Sequence, residues 1–559
     1  MIFRFDNRYK IKVLIYLGLS LAFATFYGLL ALNRAFSSEY IVQDDTRQHV
    51  FWMQRFIDRD LFPGDLIADY FQSIAPVGYS GLYQLMAGFG VEPLLFSKVL
   101  PLILTLFTTV FCFCVCLQLL PVPLAGFISS LLLNQSMWLQ DDIASATARA
   151  FVYPLFLAFL YYLLKRSLFP CLVSILLQGL FYPQSVLISS GILLVNLLIW
   201  NKGRAKRRDY QFCSIGLIFA FLVMLPYVLD SSGFSPVISA SEAKTLPEFL
   251  PGGRSVFFDP NPFFFWLFGE RSGMIPALLP PLIWIGLFLP KILQHQQKFP
   301  LVKRVQNTII LLQTILVSVT WFFAAHLVLF KLYLPSRYTD HTGRIVMALA
   351  SGIVITILLN VAWRNWQQPK KSGDRRFFSG IAALLLTVFL LFYPSLNPKF
   401  PLTNYRPGSS PKIYQFFQQQ PKDILIASLS GEANNLPTFA GRSVLVAREY
   451  AVPYHLGYYR QFRERLTDLI QAQYSSNPQD VKNFINKYGI DFWLIDKEAF
   501  KSEYLTENNW FQEMSIAKET AVLLEKGLTP ALIKTIESCK VFEENNLLVL
   551  NANCITSSY

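Results

Sequence analysis

Two adjacent aspartate pairs carry much of the chemical potential of this chain. Asp44-Asp45 lies in the run Gln43-Asp44-Asp45-Thr46-Arg47-Gln48-His49, directly before an aromatic, amphipathic stretch from Val50 to Ile57. Asp141-Asp142 follows Gln140 and precedes a helix-prone segment containing Arg149. Two neighbouring carboxylates repel, so the proton affinity of one rises unless a cation or donor compensates. A carboxylate raised in this way can take a proton from a hydroxyl nucleophile as general base. Two such pairs on one face can also hold a divalent cation through oxygen ligands, and a metal there would screen a phosphate leaving group. The alternative is plain helix capping, since aspartate at a helix start satisfies free backbone amides. From the residues alone both readings stand.

A third group lies in KLYLPSRYTDHTGR, Lys331 to Arg344, where Arg337 and Arg344 flank Tyr338, Asp340 and His341. Guanidinium forks match phosphate oxygens, whereas charges at membrane ends also serve as interfacial anchors. His341 and His49 are either acid-base groups or ordinary loop histidines.

The elements that must position these residues are apolar. The 559 residues are 53% hydrophobic, 15% aromatic and only 15% charged, against about a quarter charged in soluble domains. Apolar runs long enough for a bilayer span recur. The pattern predicts eleven of them, at 11–32, 93–119, 122–138, 150–164, 168–182, 184–200, 211–229, 275–290, 306–328, 343–363 and 378–394. The first lacks a small-residue cleavage site and is too long for a signal peptide, so it reads as a retained anchor. The run Ser167 to Trp200 has basic flanks on both sides and must cross twice, turning at Tyr182-Pro183-Gln184.

The net charge of +13 is concentrated in short links: Arg4, Arg8, Lys10 and Lys12; Lys165 and Arg166; Lys202, Arg204, Lys206, Arg207 and Arg208; Lys291, Lys298, Lys303 and Arg304; Arg364, Lys370, Lys371, Arg375 and Arg376. That is the positive-inside pattern. It argues against a nucleic-acid patch, which would form one basic face of a soluble domain. With these links inside, the N-terminus is cytoplasmic, and outer loops fall at 33–80, 138–150, 230–274 and 329–344. The uncharged stretch Phe71 to Val91 must then be interfacial or re-entrant, because one more crossing would move every later basic link outside. All the candidate residues share the outer face.

Residues 1–394 therefore form a transmembrane domain. From 395 to 559 the composition becomes water-soluble, and this part lies outside. Asp423–Leu429, Ser443–Ala447 and Asp491–Asp496 read as buried strands, His455–Tyr474 and Pro478–Tyr488 as helices, and 536–552 as a terminal hairpin. Strands alternating with helices predict a small α/β domain. Cys539 and Cys554 flank the hairpin where a disulfide is permitted. Cys112, Cys114 and Cys116 occupy alternate helical positions and do not share a face, so they read as packing rather than a metal cluster.

The layout resembles the GT-C superfamily of membrane glycosyltransferases, which use lipid-phosphate-linked sugars. The resemblance rests on the acidic pair in IVQDDTRQHVFWMQRF, the downstream APVGYSGLYQL, the second pair in WLQDDIASATARAFVYPL, and the α/β domain after the last span. It is strongest to the bacterial branch of protein mannosyltransferases and RgtA/B/C/D-like enzymes. Two departures are visible: the first pair is Asp-Asp where many relatives have Asp-Glu, and no WWDYG-like element of oligosaccharyltransferases is present. The latter argues against asparagine-linked transfer.

The resemblance implies an inverting glycosyltransferase in a bacterial plasma membrane, moving sugar from a polyprenyl-phosphate donor to a glycan, lipid or protein acceptor. It makes Asp44 or Asp45 the catalytic base. It gives donor phosphate binding to Asp141, Asp142, Arg149, Arg337 and Arg344. A divalent cation, Mg2+ or Mn2+, would sit between Asp45 and Asp142. Competing expectations are a transporter or flippase for a lipid-linked glycan, and a non-catalytic membrane assembly subunit. Transporters place ionisable groups near the bilayer midplane, and here the span interiors are almost free of charge.

Overall fold

The computed structural model describes residues 7–200, 207–229, 233–367, 373–508, 510–511 and 514–559. Arg4, Lys202, Arg204, Lys206, Lys370 and Lys371 of the basic links lie outside the described residues, as do the side chains of Arg207, Arg208, Arg375 and Arg376. Among the described residues, seven helices are long and apolar enough to cross a membrane: Asn7–Ala35, Pro93–Leu119, Ala148–Lys165, Asp209–Leu229, Ile309–Leu327, Pro335–Gln367 and Phe377–Leu396. The chain is an integral membrane protein. Three more apolar helices, Leu168–Phe181, Gln184–Leu198 and Pro281–Leu293, are shorter, and Pro123–Trp138 is buried along almost its whole length. Ten of the eleven expected spans coincide with helix along most of their length, and in 275–290 only the part from Pro281 is helical. The four shorter helices reach at most ~26 Å at 1.5 Å per residue, short of the ~30 Å hydrocarbon thickness.

The segment Phe71 to Val91 folds as two helices, Leu66–Ser73 and Val77–Gly88. At 8 and 12 residues neither can span a bilayer. Asp65 caps the first of them, accepting from the Ala68 amide at 2.8 Å.

The bundle packs through small residues. The Asn7–Ala35 helix buries Ser20, Ala24, Gly28, Ala31 and Ala35 at helical spacing and leaves Leu14, Phe26 and Leu29 exposed. Such stripes let helices approach closely in lipid, where apolar burial alone does not drive association. Gly352 plays the same part at the centre, since a Cβ there would collide with Ser129 of the Pro123–Trp138 helix. The Asp340–Gln367 helix is buried continuously from His341 to Ile357. It therefore carries its first-turn polar residues into the interior at one end of the bundle.

The C-terminal domain contains a five-stranded sheet in the order β4-β3-β5-β7-β6. The strands are β3 Leu425–Ser428, β4 Ser443–Val444, β5 Phe492–Asp496, β6 Lys540–Glu544 and β7 Leu547–Asn551. β3 pairs in parallel with β4 and β5, whereas β7 pairs antiparallel with β5 and β6. Helices Leu456–Tyr474 and Pro478–Tyr488 supply the crossover. Cys539 and Cys554 are disulfide-bonded across the terminal hairpin.

A separate small sheet ties the two parts of the molecule together. β1, Ile41–Gln43, ends just before the first aspartate pair and pairs antiparallel with β2, Tyr405–Pro407. The loop 233–274 joins in as well: Ile238 N donates to Tyr454 O at 3.0 Å and Leu456 N to Pro236 O at 2.9 Å. These loops and the C-terminal domain form one packed cap.

Candidate active site

Under this cap residues about 100 to 300 positions apart come together. Asp45 stands at the entrance of a single helical turn, Thr46–His49, but its side chain caps nothing there. It accepts from Arg149 Nη2 at 2.5 Å instead. Arg149 sits in the turn Ala148–Phe151 that opens the next helix. The same guanidinium lies 3.7 Å from Asp141 Oδ1 and 3.5 Å from Asp142 Oδ1. One cation thus serves both aspartate pairs.

Asp142 continues the network inward. It is ion-paired with Arg344 and accepts from Tyr153 Oη at 3.4 Å. Arg344 also donates to Tyr153 Oη at 2.7 Å, and to Asp340 Oδ1 at 2.6 Å. Asp340 and Arg344 are one helical turn apart, so the Asp340–Gln367 helix brings them face to face. Asp142 and Arg344 are both almost fully buried. A buried ion pair of this kind is tolerable only when further hydrogen bonds complete it, and Tyr153 and Asp340 do so.

Arg337 is the least committed cation of the cluster. It lies 4.0 Å from Asp340 Oδ2 and makes no side-chain hydrogen bond among the described residues. Its position is fixed through the neighbouring Ser336. Ser336 N donates to Arg271 O at 3.3 Å, and Ser336 Oγ donates to Glu270 O at 2.9 Å. His326 Nε2 lies 3.0 Å from Ser272 O in the same loop.

The charges separate the members of each pair. Burial alone would raise Asp45, but Arg149, His49, Arg254 and Arg337 outweigh it and hold the carboxyl below the ordinary range. Burial likewise opposes ionisation of Asp142, and Arg344 with Arg149 pulls it far lower. Asp141 goes the other way, raised by burial and by the neighbouring Asp45 and Asp142 charges despite Arg149. The mutual repulsion anticipated for a carboxylate pair falls on Asp141. His49 is pushed down to about 4 by burial, against the pull of Asp45, and is neutral at pH 7.

Asp44 is not in this cluster. It is ion-paired with Arg47 and lies 3.4 Å from Arg406 Nε. Arg47 also meets Glu449 at 3.2 Å and Asn435 Oδ1 at 3.0 Å, and Arg254 of the third loop reaches Glu449 Oε1 at 2.5 Å. Asp44 therefore anchors the first loop to the C-terminal domain. Of the expected site residues, Asp45, Asp141, Asp142, Arg149, Arg337 and Arg344 converge, and Asp44 diverges.

Two residues of the C-terminal half complete the arrangement without any local sequence signal. Asn404 donates from Nδ2 to Asp141 Oδ2 at 2.8 Å, and its backbone O accepts from Asp44 N at 3.1 Å. Glu449 is the acid that gathers Arg47 and Arg254. Both act across more than 190 residues of chain, which no spacing argument reaches.

The possible metal site differs from the expected Asp45 and Asp142. Asp142, Asp340 and His341 present ligand atoms within 4.8 Å of one another, and Asp45 is not among them. Arg149 stands between Asp45 and Asp142 instead. His341 is buried with neither ring nitrogen hydrogen-bonded, which is unusual for a buried imidazole. Two carboxylates and one imidazole suit a divalent cation, and the orphaned nitrogens fit that use.

No protein-family model matches the chain, and no curated protein matches it in sequence. Solved structures do. The chain shares its fold with an archaeal oligosaccharyltransferase. The archaeal oligosaccharyltransferase of Archaeoglobus fulgidus, tethered to an acceptor peptide, superposes with TM-score 0.57 at 12% identity, over 91% of this chain and 72% of that one. The same enzyme, AglB, with an inhibitory peptide and a dolichol-phosphate gives TM-score 0.55 at 11% identity, over 92% and 73%. ArnT from Cupriavidus metallidurans bound to undecaprenyl phosphate covers 96% of this chain and 97% of its own, at 13% identity and TM-score 0.47.

Proposed function

We propose that this chain is an inverting glycosyltransferase that moves a sugar from a polyprenyl-phosphate donor to a hydroxyl acceptor outside the cytoplasm. The observation that carries this reading is the convergence of Asp45, Asp141 and Asp142 on Arg149, beside the uncommitted Arg337. An acid ready to take a proton next to a cation with free donors is what sugar-phosphate chemistry requires.

In this reading Asp45 accepts the acceptor hydroxyl proton through Oδ1, which has no hydrogen-bond partner among the described residues. The acceptor oxygen bonds to the anomeric carbon from the face opposite the phosphate. The bond from that carbon to the phosphate oxygen breaks, and its electron pair leaves on the lipid phosphate. Arg337 and Arg149 stabilise that anion. General-base help supplies about 10²–10⁴-fold, so phosphate stabilisation must contribute a comparable share. A divalent cation on Asp142, Asp340 and His341 would add positive charge near the phosphate. By the positive-inside pattern the cap faces the outside of a bacterial plasma membrane.

The test is transfer from polyprenyl-phosphate hexose to candidate acceptors by the full chain in lipid vesicles. Asp45→Asn and Arg337→Ala should each remove most of the transfer. Unchanged transfer in both variants would overturn the assignment.

A further inference from the structure

A well-formed cavity lies at the end of the bundle away from the acid cluster. It has a volume of about 880 Å³ and lies between the Asn7–Ala35, Asp340–Gln367 and Gly373–Phe392 helices. That volume is in the ~300–1,000 Å³ range of ligand sites. Its lining runs from Thr356 to Trp366 on the middle helix. Thr356 is 16 residues beyond Asp340 in the sequence, about 24 Å along the helix axis. This cavity is not the donor-phosphate region described above.

The three helices leave this space because the last one is fastened at its other end. There Gln135 Nε2 donates to Leu390 O at 2.8 Å, and Tyr27 packs edge-on against Phe400. Near its start the last helix meets the middle one through Gly380 against Trp366 and a long Ser379 Oγ–Ala362 O contact of 3.4 Å. The walls between are apolar, including Leu124, Leu301, Leu359, Ile381 and Leu384.

Arg304 is the one charged side chain among the described lining residues. Arg304 uses Nη2 on Pro121 O at 3.0 Å and has no carboxylate partner among the described residues. The Asn360 amide and the exposed Trp363 indole also line the cavity, and neither has a hydrogen-bond partner among the described residues. No acidic residue is among its described lining residues. Lys303 and Arg364, next in sequence to the lining residues Arg304 and Trp363, are exposed.

The geometry points to a second lipid site, which takes an anionic diacyl glycerophospholipid. Its acyl chain lies along the apolar walls, and its phosphate meets Arg304 at the rim. Trp363 and Trp366, exposed at the same end, fit the interfacial depth at which indoles concentrate. Such a lipid fills the gap between the last helix and the rest of the bundle. A free phosphate would leave the apolar walls uncovered, and a zwitterionic lipid would bring a second positive charge toward Arg304.

The test does not depend on glycosyl transfer. The full-length protein is delipidated in mild detergent, offered equal amounts of phosphatidylglycerol and phosphatidylcholine, and analysed by intact-complex mass spectrometry. Wild type should retain one phosphatidylglycerol per chain, at about fivefold preference, as one arginine near a membrane surface provides. Arg304→Gln should remove the preference while leaving thermal unfolding of the protein unchanged. Ala383→Trp, which fills the cavity, should remove retention of both lipids. Equal retention of the two lipids by wild type, or an undiminished preference in Arg304→Gln, would overturn the proposal. Undiminished retention in Ala383→Trp would place the lipid elsewhere and overturn it as well. Polyprenyl phosphate displacing phosphatidylglycerol from this cavity would show the wrong lipid class and count against it.

Discussion

Arg149 donates to Asp45 at 2.5 Å and at the same time stands within 3.7 Å of Asp141 and 3.5 Å of Asp142. One guanidinium therefore holds three carboxylates from two loops that are about a hundred residues apart in the chain. With this cation in place the acids can be ionised side by side. Without it they would repel one another apart or neutralise. The candidate active site is organised around that residue.

If Asp45 is the base, Asp45→Asn lowers kcat about 10²–10⁴-fold and leaves donor KM nearly unchanged. Asp141→Asn should cost less than that, since Asp141 is held by Asn404 and shares Arg149 only at longer range. Steady-state transfer assays separate the two. A larger loss in the Asp141 variant would move the base to that residue.

In the proposed mechanism Arg337 binds the donor phosphate. Arg337→Ala should weaken the donor by about 10–100-fold, the value of a charge-assisted hydrogen bond. Arg337→Lys should recover only part of it, because an ammonium lacks the planar fork. The measurement is donor KM and direct binding of polyprenyl phosphate.

If Asp45 is the base, it sets the acid limb of the pH profile. Its folded value lies below the ordinary carboxylate range, so it stays ionised as pH falls to about 4. His49, at about 4, is neutral above pH 5. The expected kcat/KM profile is flat from pH 5 to pH 7, and His49→Gln should not change it. An inflection near pH 6.5 that disappears in His49→Gln would show a titrating imidazole. The linkage to stability has a definite sign. Asp45 and Asp142 are both depressed in the folded state. Their contribution is present above the unfolded carboxylate value near ~3.9 and is lost as pH falls below it.

The buried pair Asp142–Arg344 should be costly to halve. Asp142→Asn leaves Arg344 buried with a weaker partner, and Arg344→Met leaves Asp142 without its main counter-charge. Each should lose about 3–5 kcal/mol, seen as a lower Tm in detergent. The double variant Asp142→Leu with Arg344→Met should lose less than the sum, because both single variants remove the same Asp142–Arg344 interaction.

Metal dependence is tested at His341. If a cation is held by Asp142, Asp340 and His341, a chelator should reduce transfer, and added Mn2+ or Mg2+ should restore it. His341→Ala should remove that metal response and lower retained metal measured by elemental analysis. A chelator-insensitive enzyme with no retained metal would make His341 a packing residue.

The elements themselves were largely readable. Bilayer helices need long apolar runs, and so ten of the eleven expected spans coincide with helix along most of their length, 275–290 being helical only from Pro281. The strands Leu425–Ser428 and Phe492–Asp496 and the helices Leu456–Tyr474 and Pro478–Tyr488 follow equally local patterns. Partners were harder. The capping expectation for Asp45 failed because Arg149 offers a full charge at 2.5 Å, a stronger partner than a backbone amide. Asp44 looked equivalent to Asp45 by adjacency. Side chains of neighbouring residues point in different directions, and Asp44 faces Arg47 and Arg406 instead.

The sequence by itself determined which segments avoid water, which residues carry charge, and that the charged ones lie at the ends of apolar runs. Those are properties of local composition, and the hydrophobic effect and helix geometry translate them directly into elements. Only the tertiary structure decided that Asp45 rather than Asp44 joins Arg149, that Asn404 and Glu449 close the cap, and that His341 lies beside Asp142 and Asp340. Each of these depends on which helix ends meet and which way a side chain leaves its backbone. That is settled by packing between segments far apart in the chain, for which no spacing along the sequence holds a record.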